Sequence, residues 1–188
     1  MADGKVRKFQ ISGRELFLCD HLVDQGLVTQ VGLAVKQMHF ARKEKSRPDV
    51  PALAAAADFD AAVVASDPFF RHLKSIAQKV FPGETLGDVR AYVNSAVYGD
   101  SYYTHRDCPE DSKNVTVLYY VNLLWQADWG GETIFYNDEQ DAMLAVSPKA
   151  GRVVVGRGAI LHRANVPTRS CYEERLTIAY KLSSNGGA

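Results

Sequence analysis

Three side chains in this 188-residue sequence could share one metal ion. His105-Arg106-Asp107 sets an imidazole and a carboxylate two residues apart. In an extended backbone successive side chains alternate, so both groups point to the same side. A third ligand must come from the remaining histidines, His21, His39, His72 and His162. His162 closes the strand-like run Gly158-Ala159-Ile160-Leu161-His162 and is the best placed. Two imidazoles and one carboxylate on one side of a metal leave its other side open, a geometry that suits Fe(II) and oxygen chemistry. A structural zinc site on the same residues would need a fourth ligand. Cys108 adjoins Asp107, but strand alternation turns it to the opposite face.

The elements around these residues follow from periodicity. Arg7 to Cys19 reads as one or two strands about the turn Ser12-Gly13. Val23, Leu27, Val31, Ala34, Val35 and Met38 recur at helical spacing over Leu22–Met38, with Gly26 and Gly32 as weak points. The polar stretch Ala41–Pro51, with two prolines, reads as a mobile loop, and 41–56 is a candidate lid. Asp67-Pro68 opens a second helix that runs to Val80. From residue 84 short β-rich segments follow one another: 86–98, 114–122, 131–136, 142–146, 151–156, 158–162 and 175–182. Helices followed by many short strands imply an antiparallel sandwich or barrel with helices on one side. Within the first strand, Arg90, Tyr92 and Asn94 share a face. That face lies either in solvent or along a polar cavity inside a barrel.

Bulk properties narrow the function. The length fits one domain, expected over 1–188, with helical support over about 1–84 and a β core over about 85–183. Lys and Arg number 22, as do Asp and Glu, so the formal net charge is zero. No basic excess points to nucleic acid or a membrane surface. Cys19, Cys108 and Cys171 form no CxxC pair and read as reduced thiols. The first residues lack the apolar core of a signal peptide, and no apolar run approaches the ~20 residues of a membrane span. A cytoplasmic location is the expectation.

The segment from about residue 90 to 182 resembles the prolyl-4-hydroxylase-like branch of the 2-oxoglutarate/Fe(II) oxygenases. The resemblance rests on Tyr98 and Tyr102 ahead of His105-x-Asp107, and on Leu118-Tyr119-Tyr120-Val121-Asn122. It continues through Trp125, Trp129-Gly130-Gly131-Glu132-Thr133, Pro148-x-x-Gly151-Arg152-Val153, His162 and Arg175-Leu176-Thr177. It implies a mainly β fold with supporting α-helices, a double-stranded β-helix (jelly-roll, cupin-like) core, with the metal at one mouth. It also implies Fe(II), 2-oxoglutarate as cosubstrate, O2, and ascorbate as a reductant. Arg175 resembles the basic residue that pairs with the C5 carboxylate of 2-oxoglutarate, with Thr177 and Tyr120 beside it. Tyr98 is similar to a tyrosine near the iron end of the cosubstrate. Thr133 stands where an apolar residue often lies against it. Arg175 follows His162 by thirteen residues, more than is usual in this branch, and Arg169 in the intervening loop is a rival for its role. Gly130-Gly131 reads as a turn without direct chemistry.

The implied reaction is hydroxylation of a C–H bond coupled to decarboxylation of 2-oxoglutarate. Arg90, Tyr92, Asn94, Tyr102 and Arg169 are the candidate substrate contacts. Their cationic and hydroxyl groups suit a small anionic or zwitterionic molecule such as an amino acid. A protein-residue hydroxylase of the prolyl type is the alternative, and it needs a groove for an extended peptide. A non-catalytic metal- or ligand-sensing β-barrel is a more distant one.

Overall fold

The structure, a computed structural model, describes residues 4–185. The first and last three residues of the expected domain lie outside that range. Strands β1 (Lys5–Ile11) and β2 (Arg14–Asp20) form a hairpin. Its two turn residues, Ser12 and Gly13, have φ of 48° and 74°. A two-residue hairpin whose centre is left-handed matches the twist of the flanking strands. Helix α1 (Gln25–Val35) starts at Asp24, whose carboxylate accepts from the Gly26 and Leu27 amides. It is shorter than the 22–38 expectation.

The next segment departs most from the sequence reading. Residues 41–58 form a hairpin, β3 (Ala41–Glu44) and β4 (Ala54–Asp58), docked by β4 on the sheet edge. Alanines and charged residues have weak strand propensity, so the pairing is dictated by the neighbouring strand β5. Helix α2 (Ala61–Ser66) was not expected either; α3 (Pro68–Val80) begins at the predicted cap. The β core follows: β5 (Thr85–Ala96), β6 (Val115–Tyr120), β7 (Thr133–Tyr136), β8 (Ala142–Val146), β9 (Val153–Arg157), β10 (His162–Ala164) and β11 (Arg175–Asn185). Residues 158–160, read as part of a strand, form a turn, and the strand begins at His162.

The strands make two antiparallel sheets. The larger runs β1-β2-β9-β6-β11-β5-β4-β3 and the smaller β10-β7-β8. This is the expected jelly roll. Alternate residues of the central strands serve two cores. Val117, Tyr119, Ile178 and Tyr180 face the helices, where Phe69 meets Tyr119 and Phe70 meets Tyr180 edge-on at centroid distances of 4.9 and 5.4 Å. Leu118, Tyr120 and Ala179 face the second sheet and pack with Phe135, Val146, Val154 and Ile160. The helices thus stiffen one face of the large sheet and leave the space between the sheets for the site. Among the described residues no helix is long and apolar enough to cross a membrane.

Candidate active site

His105, Asp107 and His162 come together between the sheets. One ligand atom from each lies within 4.8 Å of the others. Their convergence is built by the backbone. His105 and His162 pair as an isolated antiparallel bridge, each amide donating to the other's carbonyl at 2.9 Å. The Asp107 amide donates to the Gly158 carbonyl at 2.8 Å. Arg106, between the ligands, points away and donates to the Ala159 carbonyl at 2.6 Å and to Asp138 at 3.0 Å. The segment is therefore fastened on both faces.

The imidazoles are oriented for metal binding. Nδ1 of His105 donates to the Tyr103 carbonyl and Nδ1 of His162 to the Ile160 carbonyl, each at 2.9 Å. A carbonyl can only accept, so each ring carries its proton on Nδ1 and turns the Nε2 lone pair inward. Nε2 of His105 lies 3.4 Å from Asp107 Oδ1, and Nε2 of His162 lies 3.6 Å from Oδ2. Burial pushes the His162 imidazole down to about 4, against the pull of Asp107, which keeps it neutral and able to ligate. Burial alone would raise Asp107. The Lys181 ammonium outweighs that and holds the carboxyl well below the usual range. Lys181 Nζ lies 2.5 Å from Oδ2, and the Thr116 hydroxyl donates to the same oxygen at 2.7 Å.

A second constellation sits deeper. Arg175 is 1% exposed and, among the described residues, has no acidic partner. Its Nε donates to the Gly131 carbonyl at 2.5 Å and its Nη2 to the Thr133 hydroxyl at 2.9 Å. The Tyr120 hydroxyl donates to Thr133 Oγ1 at 2.8 Å, and the guanidinium lies 5.6 Å from the Tyr120 ring centroid. Thr177 Oγ1 and Asn94 Oδ1 are buried without a hydrogen-bond partner. Arg175, Thr133, Thr177 and Asn94 line a small cavity that reaches His105, His162 and Lys181. A buried guanidinium lacking a counter-ion, beside an unpartnered hydroxyl, fits a dicarboxylate cosubstrate, because an unpaired buried charge is costly. The two-histidine, one-carboxylate donor set fits Fe(II).

Residues 93–181 match the model of the 2OG-Fe(II) oxygenase superfamily. Over that segment the chain carries a 2OG-Fe(II) oxygenase domain. The oxygenase also resembles solved structures in fold. A prolyl hydroxylase from Trichoplax adhaerens, in complex with a hypoxia inducible factor oxygen degradation domain peptide fragment, superposes with a TM-score of 0.66 at 19% identity, covering 89% of this chain and 83% of that one. A prolyl-4-hydroxylase from Pseudomonas putida gives 0.65 at 20% identity over 91% and 93%. The non-heme alpha ketoglutarate dependent epimerase SnoN, from nogalamycin biosynthesis, gives 0.64 at 14% identity over 89% and 78%. No curated protein sequence matches the chain significantly. It is an Fe(II)- and 2-oxoglutarate-dependent dioxygenase.

The oxygenase places the remaining candidate residues unevenly. Tyr92, Asn94 and Tyr102 line the inner cavity, so the polar face of β5 is turned inward. Tyr98 is not brought to it: it lies in the turn after β5, 61% exposed, whereas Tyr102, beyond that turn, lines the cavity. Arg169 lies exposed in a turn and lines neither cavity. Arg90 lines an outer cleft of about 280 Å³ with Glu44, Tyr92, His105, Asp107 and Lys181. It is not a free cation, since Glu44 lies 3.0 Å and Asp58 2.8 Å from it. The Gly130-Gly131 turn does more than connect strands, because the Gly131 carbonyl holds Arg175. Lys181 and Thr116 were missed. Period 2 along β11 puts Arg175, Thr177, Ala179 and Lys181 on one face, and that was the available signal.

Proposed function

We propose that this oxygenase hydroxylates an unactivated C–H bond of a small molecule such as an amino acid. His105, Asp107 and His162 hold the iron, and Arg175, Thr177, Thr133 and Tyr120 hold the far carboxylate of 2-oxoglutarate. With O2 as the oxidant, Fe(II) and 2-oxoglutarate held there would convert the C–H bond to C–OH, one oxygen atom entering the product and the other entering succinate as CO2 leaves. The chain's own residues do the rest. The two Nδ1–H groups fix the imidazoles, Thr116 and Lys181 fix the carboxylate, and the inter-sheet walls exclude water.

The observation that carries the small-molecule reading is the docked loop beside the metal position. The Ser46 hydroxyl accepts from the Tyr103 amide at 3.0 Å, and Arg47 donates to the Thr104 carbonyl at 3.1 Å. The Arg47 guanidinium also lies 5.6 Å from the Tyr103 ring centroid, and Val50 is buried. This loop roofs the cleft just ahead of His105, which favours a compact substrate over an extended peptide. The test is succinate release with Fe(II), 2-oxoglutarate and O2 over amino acids, metabolites and proline-containing peptides. The product should gain one oxygen atom by mass. Succinate formation with peptides alone supports the prolyl-type alternative and overturns the small-molecule reading.

A further inference from the structure

Lys181, with Tyr92 and His105, lines both the inner cavity and the outer cleft. Its position invites a count of charge. As the protein stands, Lys181 and Asp107 neutralise each other across 2.5 Å. Fe(II) is doubly positive, and Asp107 together with the C1 carboxylate of 2-oxoglutarate matches it. Arg175 matches the C5 carboxylate. Of the other cations lining the cleft, Arg90 is matched by Glu44 and Asp58 and Arg106 by Glu110 and Asp138, with contacts of 2.8 to 3.0 Å, and Lys45 is exposed to water. Loading the site therefore takes Asp107's charge away from Lys181 and gives nothing back. One largely shielded cation, its side chain 19% exposed, is left over on the wall that faces the outer cleft. An unmatched charge away from water is costly, and an anion that supplies the match is correspondingly favoured.

We infer that Lys181 anchors a carboxylate of the substrate. The inference rests on the small-molecule reading above and names its chemical class: carboxylic acids, including free amino acids. Tyr92 forms the floor beside the anchor, with the Arg90 guanidinium 4.0 Å and Lys181 Nζ 5.9 Å from its ring centroid. Because Lys181 touches the metal-ligand candidate Asp107, the anchored carboxylate would lie beside the metal position. The oxidised carbon is then only a few bonds from the acid group.

The experiment compares free amino acids and short carboxylic acids with their primary amides, using succinate release by wild type, Lys181→Met and Lys181→Arg. Wild type is expected to favour at least one acid over its amide by tenfold or more in kcat/KM, the scale of one charge-assisted hydrogen bond. The ratio should fall toward one in Lys181→Met and recover in Lys181→Arg. Calorimetry of the preferred acid on the Mn(II)- and 2-oxoglutarate-loaded protein, which does not turn over, should show the same loss of affinity. If Lys181→Met no longer holds Mn(II), the wild-type ratio and the Lys181→Arg variant decide. Equal use of acids and amides by wild type, or a ratio that survives Lys181→Met, overturns the anchor. A tenfold loss of 2-oxoglutarate affinity with an unchanged ratio assigns Lys181 to the cosubstrate instead and also overturns it. If only peptides release succinate, the small-molecule reading itself has failed, and the anchor fails with it.

Discussion

His105 and His162, far apart in sequence, exchange both backbone hydrogen bonds at 2.9 Å and bring their ring centroids to 4.4 Å. The metal position is thus set by main-chain pairing before any side chain is considered. Asp107 then completes it from the same segment as His105. Replacing Asp107 by Ala leaves two imidazoles and no anion. We expect Mn(II) binding, measured by calorimetry, to fall below detection and succinate release to cease. A chelator should have the same effect on wild type, reversed by added Fe(II). Removing Asp107 also strands Lys181, so the metal-free variant should melt below the wild type.

Gly158 tests the fastening of the metal segment without touching a ligand. A methyl group added there would lie 3.0 Å from Cys108 Sγ, 3.3 Å from Asp107 Cβ and 3.3 Å from Thr116 Oγ1. Its carbonyl also accepts the Asp107 amide. Gly158→Ala must therefore displace the carboxylate by a few tenths of an ångström or more. Disturbing what orients a metal ligand typically costs about 10–100-fold in affinity. Mn(II) affinity should fall by about that factor while far-UV circular dichroism stays native. An unchanged affinity would show that Asp107 is positioned by other contacts.

His105 and Asp107 were legible in the sequence because strand alternation is a local rule: two residues apart means one face. Arg175 and Thr177 share a face by the same rule, but their role came from the family resemblance, and alternation left open whether Tyr92 and Asn94 face solvent or a cavity. Lys181 obeyed that rule too, but a lysine at the end of an apolar strand looks like a surface residue until its partner is known. Tyr98 and Tyr102 could not be separated from sequence. They lie on either side of the turn at Gly99, whose φ of 94° redirects the chain, and only one side returns to the cavity. The hairpin 41–58 was invisible for another reason. Four successive alanines and a run of charges carry no β pattern, and the strands exist because β5 offers an open edge.

Arg175 and Thr133 should separate cosubstrate binding from metal binding. Arg175 is the one buried guanidinium in the inner cavity, and Thr133 joins it to Tyr120. For Arg175→Ala we expect the 2-oxoglutarate Kd, read by calorimetry with Mn(II) present, to rise by at least tenfold. A hydrogen bond to a charged group contributes about 1.5–3 kcal/mol. Mn(II) affinity should move by less than threefold, since Arg175 touches no ligand. Thr133→Val should give a smaller rise in the same direction, through a guanidinium less firmly held. Parallel losses of metal and cosubstrate affinity in Arg175→Ala would indicate a collapsed cavity rather than a lost carboxylate partner.

Gly131 carries the same argument into the backbone. Its φ of 75° lies in the left-handed region, and an added Cβ would meet Trp125 Cζ2 at 3.0 Å and Arg175 Cδ at 3.1 Å. Its carbonyl, in turn, accepts from Arg175 Nε at 2.5 Å. Ala at this position strains the turn, by about 1–3 kcal/mol for a non-glycine residue held in a sparsely populated conformation. It also pushes the guanidinium toward the place of the cosubstrate carboxylate. Gly131→Ala should therefore lower the melting temperature and weaken 2-oxoglutarate binding together. Gly13→Ala, at a solvent-exposed turn with φ of 74° and nothing near its Cβ, should lower the melting temperature alone. If both variants lose stability but neither loses cosubstrate affinity, the Gly131 carbonyl is a turn feature and Arg175 is held by Thr133 alone.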